Sequence, residues 1–280
     1  MKPLRIATIA LFVIVFGVFT FSIFAERATT DQTLPEISST QDSVTITADR
    51  RGDDSALLEG LTAYDKKDGD LTGQIFVSNT SHFVSVDDSG NGSIQVTYAV
   101  FDADGHSASY TRTAVYEGYR VPRFQLSEPL IYTQNDTITI SDRVTADDII
   151  DGDVTSRIRL TSSSLSATNP GTYYVNAQVT NSKGASASVV LPVIVRSKEA
   201  PGKTVPLTAS LVYLDKGADF DPWSYVQPDS GITARNTELD DGGLDTATPG
   251  TYYLTFTTTT SGTGRTDSSA DTILTVVVTE

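Results

Sequence analysis

The sequence has no cysteine, one methionine, one tryptophan and two histidines among its 280 residues. Thiol nucleophiles, disulfides, iron–sulfur clusters and Cys/His zinc sites are therefore excluded or nearly so. Positive charge is also scarce: 20 Lys and Arg stand against 35 Asp and Glu, a formal net charge of −15. Nucleic-acid affinity rests on cationic side chains that displace counterions from phosphates, so no nucleic-acid partner is expected. The chain is nonetheless not a disordered acidic segment. Its 39% apolar and 9% aromatic residues supply enough surface to build packed cores.

One long apolar run is present. Residues 6–25 carry no charge, and 13 of these 20 are Ile, Leu, Val or Phe. As a helix the run would be about 30 Å long, the thickness of a bilayer core. Lys2 and Arg5 precede it, which puts the N-terminus on the cytoplasmic side by the positive-inside rule. A cleaved signal peptide is the competing reading. Its apolar stretch is shorter, about 7–15 residues, and ends on a small-x-small site, whereas Ile23 stands three before any cut after Ala25. The expectation is a transmembrane signal-anchor helix over 1–25, a polar spacer over 26–34, and a single-pass cell-membrane protein with an extracytoplasmic C-terminus. Cleavage would make it secreted.

The rest of the chain repeats itself. Asn91-Gly92-Ser93, Pro170-Gly171-Thr172 and Pro249-Gly250-Thr251 are spaced 79 residues apart, twice over. Each opens a run that alternates with a period of two: Ile94, Val96, Tyr98 and Val100; Tyr173, Val175, Ala177 and Val179; Tyr252, Leu254 and Phe256. That period marks a half-buried strand. Gly105 and Gly184 each follow 13 residues after the turn glycine and read as hairpin turns. Pro192 suggests an edge strand, because it cannot donate to a ladder. In the third copy, Gly262 and Gly264 lengthen the corresponding turn.

A second motif precedes the glycine turn. Asp65 to Ile75 and Asp148 to Ile158 share the form D-x-x-D-G-D-[LV]-T-x-x-I, and the third copy lacks it. With the Gly-Thr-Tyr strand and the valine-rich last strand, this motif resembles bacterial immunoglobulin-like domain repeats, of the type found in pesticidal crystal toxins and Gram-positive surface proteins. The resemblance implies an all-β fold: three tandem Ig-like β-sandwiches after one N-terminal transmembrane or signal helix, at 35–117, 118–196 and, in divergent form, 197–280. About 80 residues per copy suffice for a core without disulfides.

The residues that carry chemistry each have a structural reading beside the functional one. His82 and His106 are the only general-base candidates of their type, and no G-x-S-x-G elbow accompanies them, so the chain is read as not an enzyme. Asp65, Asp68, Asp70, Asp148, Asp151 and Asp153 gather carboxylates around glycine turns, as a calcium site requires. They miss the EF-hand spacing, and an aspartate at a turn equally accepts backbone N–H groups. Turn capping is favoured over calcium, and no other cofactor is expected. Arg51-Gly52-Asp53 spells an integrin-binding tripeptide but falls where a turn is expected. Trp223, beside Tyr225 and Tyr213, is either a tip that contacts a ligand or a core plug. The function expected is non-catalytic adhesion or partner binding, to a protein or glycan, the alternative being a spacer or accessory subunit of a cell-envelope assembly.

Overall fold

A computed structural model describes residues 2–29, 33–82, 84–162, 164–199, 202–260 and 268–279. The expected turn around Gly262 and Gly264 lies outside the described residues. The chain divides into two compact units: Met1–Ile46, Asp53–Ser81 and Ser93–Val115 form one, and Thr47–Gly52, His82–Gly92 and Tyr116–Glu280 the other.

Helix α1 spans Lys2–Thr29. Its described side chains run over 8–24 and nearly all face solvent. Among the described residues no helix is long and apolar enough to cross a membrane. This overturns the expected single-pass anchor over 1–25 and, with it, the cell-membrane location.

Beyond α1 the described residues form strands, loops and short 3₁₀ turns, so the protein is mostly β as expected. The first unit contains β1 (Glu36–Ser39), β2 (Ser43–Ile46), β3 (Leu61–Asp65), β4 (Gly69–Asp70) and β5 (Phe76–Thr80). After β6 (Ser85–Val86), which belongs to the second unit, come β7 (Gly92–Phe101) and β8 (Ser107–Tyr116). One sheet runs β1-β3-β4 and another runs β2-β8-β7-β5. The period-two reading of β7 holds: Ile94, Val96, Tyr98 and Val100 are all buried. Ile37 of β1 and Leu61 and Ala63 of β3 are buried from the other sheet. Each large apolar side chain buried in this way contributes roughly 1.5–3 kcal/mol.

A guanidinium lies inside this unit. Arg112 of β8 is 2% exposed, and its hydrogen bonds go to neutral acceptors: Nε to Tyr98 Oη, Nη1 to Ser39 Oγ, and Nη2 to the Leu57 and Glu59 carbonyls. The Tyr98 hydroxyl donates in turn to the Leu57 carbonyl at 2.6 Å. The guanidinium thereby ties β1 and the 3₁₀ turn at Asp54–Leu58 to the central hairpin.

The second unit continues with β9 (Arg123–Leu126), β10 (Ile131–Thr133), β11 (Val144–Asp148), β12 (Gly152–Asp153) and β13 (Arg159–Thr161). Then follow β14 (Gly171–Thr180), β15 (Ser186–Arg196), β16 (Leu211–Leu214), β17 (Thr237–Asp240), β18 (Gly250–Thr260) and β19 (Ser268–Val278). Sheet β9-β11-β12 faces sheet β10-β15-β14-β13 across one core, in which Phe124, Val144 and Val154 meet Val175, Ala177, Leu191 and Val193. The chain changes sheets at Pro129, between β9 and β10. β10 then pairs parallel with β15 only at Ile194–Arg196. Strand β15 therefore lies inside the sheet order yet has a free side at Pro192, where no N–H is needed.

Residues 202–279 depart from the two-sheet plan that the resemblance implies. Their described strands make one sheet, β16-β19-β18-β17. The other side of its core is an irregular layer in which Val205, Leu207, Val226 and Trp223 cover Leu254, Phe256, Leu274 and Val276. Pro206, Pro222 and Pro228 explain the irregularity, because each removes a ladder donor. Two of them open 3₁₀ turns. This sheet is fastened to its neighbour in the unit. Leu211 is buried in the core of the β9–β15 sheets, and Tyr213 and Val277 pack on that core. The Phe124 amide donates to Tyr213 Oη at 3.0 Å, and Tyr253 Oη donates to the Val190 carbonyl at 3.0 Å.

Arg112→Ala removes four hydrogen bonds from the centre of this unit, each worth about 0.5–1.5 kcal/mol net. Chemical denaturation should show a loss of roughly 3 kcal/mol, with Arg112→Lys intermediate because one ammonium cannot reach all four acceptors.

Candidate functional site

The repeated D-x-x-D-G-D-[LV]-T motif folds in the same way at both of its occurrences. At the second, Asp148 is fully buried. Its Oδ1 accepts the amides of Ile150 and Asp151, both at 2.9 Å, and its Oδ2 accepts Asn181 Nδ2 at 3.1 Å. Gly152 takes a φ of 68°, the left-handed conformation that only glycine adopts without strain. Asp153 Oδ1 accepts the Thr155 amide, and the Thr155 hydroxyl accepts the Ala146 amide at 3.1 Å. Val154 between them is a core residue.

The first occurrence repeats these bonds atom for atom up to one point. Asp65, 1% exposed, accepts the amides of Lys67 and Asp68 on Oδ1, Asp70 accepts the Thr72 amide, and Thr72 Oγ1 accepts the Ala63 amide. Each turn also grips the hairpin turn above it. Asp68 Oδ2 accepts the Ala103 amide at 2.8 Å, and Asp151 Oδ2 accepts the Ser182 amide at 2.6 Å. The difference is at Asp102, which occupies the place of Asn181. Its Oδ1 accepts the amides of Asp104 and His106 as Asn181 Oδ1 accepts those of Lys183 and Ala185. A carboxylate has no N–H to offer, so Asp65 Oδ2 is left buried without a partner.

The six motif aspartates are thus spread over two separate turns, and one oxygen of each accepts a backbone amide. Among the described residues no group of three or more acidic or histidine side chains is arranged to hold a metal. Burial by itself would raise the Asp151 carboxyl. The Ser182 hydroxyl and amide and the Arg157 guanidinium outweigh it and hold the group below its ordinary value. The Thr155 hydroxyl and amide do the same for Asp153, and those of Thr72 for Asp70.

The two histidines are far from equivalent. His82 is exposed, whereas His106 Nδ1 bonds Asp102 Oδ2 at 2.7 Å. In the tripeptide at 51–53, Arg51 pairs with Asp147 at 2.9 Å. A Cβ on Gly52 would meet the backbone of Gly152 at 3.1 Å, and Asp53 caps the 3₁₀ turn through the Ser55 amide. Trp223 packs edge-on against buried Phe256 with ring centroids 5.2 Å apart, so it is the core plug. Sequence reasoning missed the exposed aromatic pair. Phe76 of β5 and Phe101 of β7 are 43% and 51% exposed, stacked with centroids 6.0 Å apart and planes 15° apart. The outward position of Phe101 follows from the alternation of β7, but its neighbour is set by the register that pairs Phe76 with Ala99.

No family model matches the chain. Over 129 residues it is 32% identical to the pesticidal crystal protein Cry22Aa of Bacillus thuringiensis, a stretch covering 43% of this chain and 17% of that protein. The chain thus spans about one sixth of the curated relative it matches. The motif resemblance has its counterpart there as weak homology to a crystal protein. Among solved structures, the CBM51-2 and INT domains of Clostridium perfringens ZmpB in complex with GlcNAc match with 14% identity over 59% of this chain and 42% of that one, at a TM-score of 0.23. Drosophila N-cadherin EC1-4 matches with 12% identity over 90% of this chain and 76% of that one, at a TM-score of 0.22. The strand pairing, not these likenesses, carries the fold.

Asn181→Asp removes the donor to Asp148 Oδ2 and should lower stability by about 1–3 kcal/mol. Thermal unfolding of the variant checks this. Because the folded-state value of Asp151 is depressed, the stability it contributes is fully present above the ordinary carboxylate value of 3.8 and is lost as pH falls through the lower folded value. Unfolding monitored by near-ultraviolet circular dichroism should show a drop below about pH 4 that Asp151→Asn makes shallower.

Proposed function

We propose that the protein is a tandem array of Ig-like β domains, at 35–117, 118–196 and 197–280, that works by binding a protein or glycan partner in adhesion and not by catalysis. The observation that carries this reading is the Phe76–Phe101 stack. Two parallel phenyl rings about half in water form a flat apolar platform on the solvent face of a sheet, and such rings are the anchors that partner surfaces bury. In this reading the motif aspartates support their turns without a bound ion, because one oxygen of each already accepts a backbone amide. Net charge of −15 keeps the array soluble and speaks against a nucleic-acid partner.

A second reading, a spacer or accessory subunit of a larger assembly, is favoured by the joint inside the second unit. Leu211 buried in its neighbour's core and the Tyr213 and Tyr253 hydrogen bonds resist bending, as a strut requires. In-cell crosslinking of the tagged full-length chain, followed by mass spectrometry, separates the two. If the platform binds, the Phe76→Ser, Phe101→Ser double variant should recover a crosslinked partner at least tenfold less, with its melting temperature unchanged. Equal recovery would leave the spacer reading in place.

A further inference from the structure

Basic side chains converge at one place in this acidic chain. Asp147 Oδ2 is shared by Arg51 Nη1 at 2.9 Å and Arg120 Nη2 at 3.1 Å. Arg120 Nη1 is buried and has no hydrogen-bond partner. Next along the chain, the Arg123 guanidinium lies 5.0 Å from the centre of the Tyr213 ring. A buried guanidinium donor left unpaired is unfavourable, and one carboxylate already divided between two arginines does not satisfy it. The local balance therefore favours an incoming anion.

Arg120 and Arg123 line an open-mouthed cavity of about 480 Å³ between the β9–β15 sheets and the β16–β19 sheet, within the range of small-molecule sites, which form preferentially at such joints. The far wall is of a different kind. Asp215 and Thr279 stand there, with the Thr279 hydroxyl donating to the Leu214 carbonyl and to Asp215 Oδ1. The second Asp215 oxygen offers an acceptor. Pro122 and Val277 provide an apolar floor between the two walls.

We propose that this cavity binds a small hydroxylated carboxylate, an acidic sugar of the uronic acid class. Its carboxylate pairs with the Arg120 and Arg123 guanidinium groups that line the recess, its ring hydroxyls donate to Asp215, and its C–H face lies on Val277. A plain anion would use only the arginine wall, and a neutral sugar only the acidic one. The three features together, a donor fork, an acceptor wall and an apolar floor, match a ring that carries one charge at one end. The site is distinct from the Phe76–Phe101 platform and stands or falls independently of it.

Calorimetric titration of the full chain at low salt with glucuronic acid, glucose and acetate tests the proposal. Glucuronic acid should bind in the millimolar range, with glucose and acetate each at least tenfold weaker. Arg120→Gln should weaken glucuronic acid binding about tenfold or more. Because that variant also loses an ion pair, Ser188→Trp serves as a second one: it fills the cavity from an exposed strand position and should abolish binding with the fold intact. Absence of glucuronic acid binding, acetate binding as tight as the sugar acid, or unchanged binding in Ser188→Trp would each overturn it.

Discussion

The buried aspartate that opens each D-G-D turn is the constraint on which the described β units depend. Asp148 is a carboxylate with no exposure, and only the amides of Ile150 and Asp151 together with the Asn181 side chain make that tolerable. Once those bonds are made, the turn between β11 and β12 has a single geometry. Val154 is delivered to the core, and Asp151 reaches the next hairpin turn. Asp151 thus ties this turn to the β14–β15 hairpin of the facing sheet.

The two copies use this device with different degrees of completeness. The second satisfies both oxygens. The first places Asp102 where an amide would complete the set and leaves Asp65 Oδ2 unpartnered. It has, in compensation, the Arg112 network, in which one guanidinium supplies four hydrogen bonds to groups from β1, β7 and the 3₁₀ turn. At the position equivalent to Arg112 the second copy has Leu191, a fully buried apolar side chain. One fold therefore holds its centre by a polar network in one copy and by packing alone in the other.

The surfaces follow a similar division. Most acidic side chains at the loops hold those loops together, which leaves few free groups for recognition there. What remains unaccounted for by folding is the phenyl platform on the first unit and the arginine-lined cavity in the second. The cavity exists because β16 and β19 dock on a neighbouring core through Leu211, Tyr213 and Val277, so the joint and the recess are consequences of the same packing.

The period-two runs and the paired D-G-D motifs were enough to indicate a mostly β chain in which one turn recurs, because strand alternation and turn chemistry are local properties of the chain. They also identified the aspartates and the glycines that make the turns. They did not reveal that the segments on either side of β16, around 205–207 and 222–226, form an irregular layer, since prolines show where a ladder ends but not what covers the core instead. Nor did they reveal Arg112, whose surroundings come from segments up to 73 residues away, or the Phe76–Phe101 contact, which depends on register. The apolar run at 6–25 and its flanking Lys2 and Arg5 suggest a membrane span, yet among the described residues no helix is long and apolar enough to cross a membrane. Local geometry is written in neighbouring residues, whereas burial, pairing register and the meeting of distant side chains are decided only when the sheets pack.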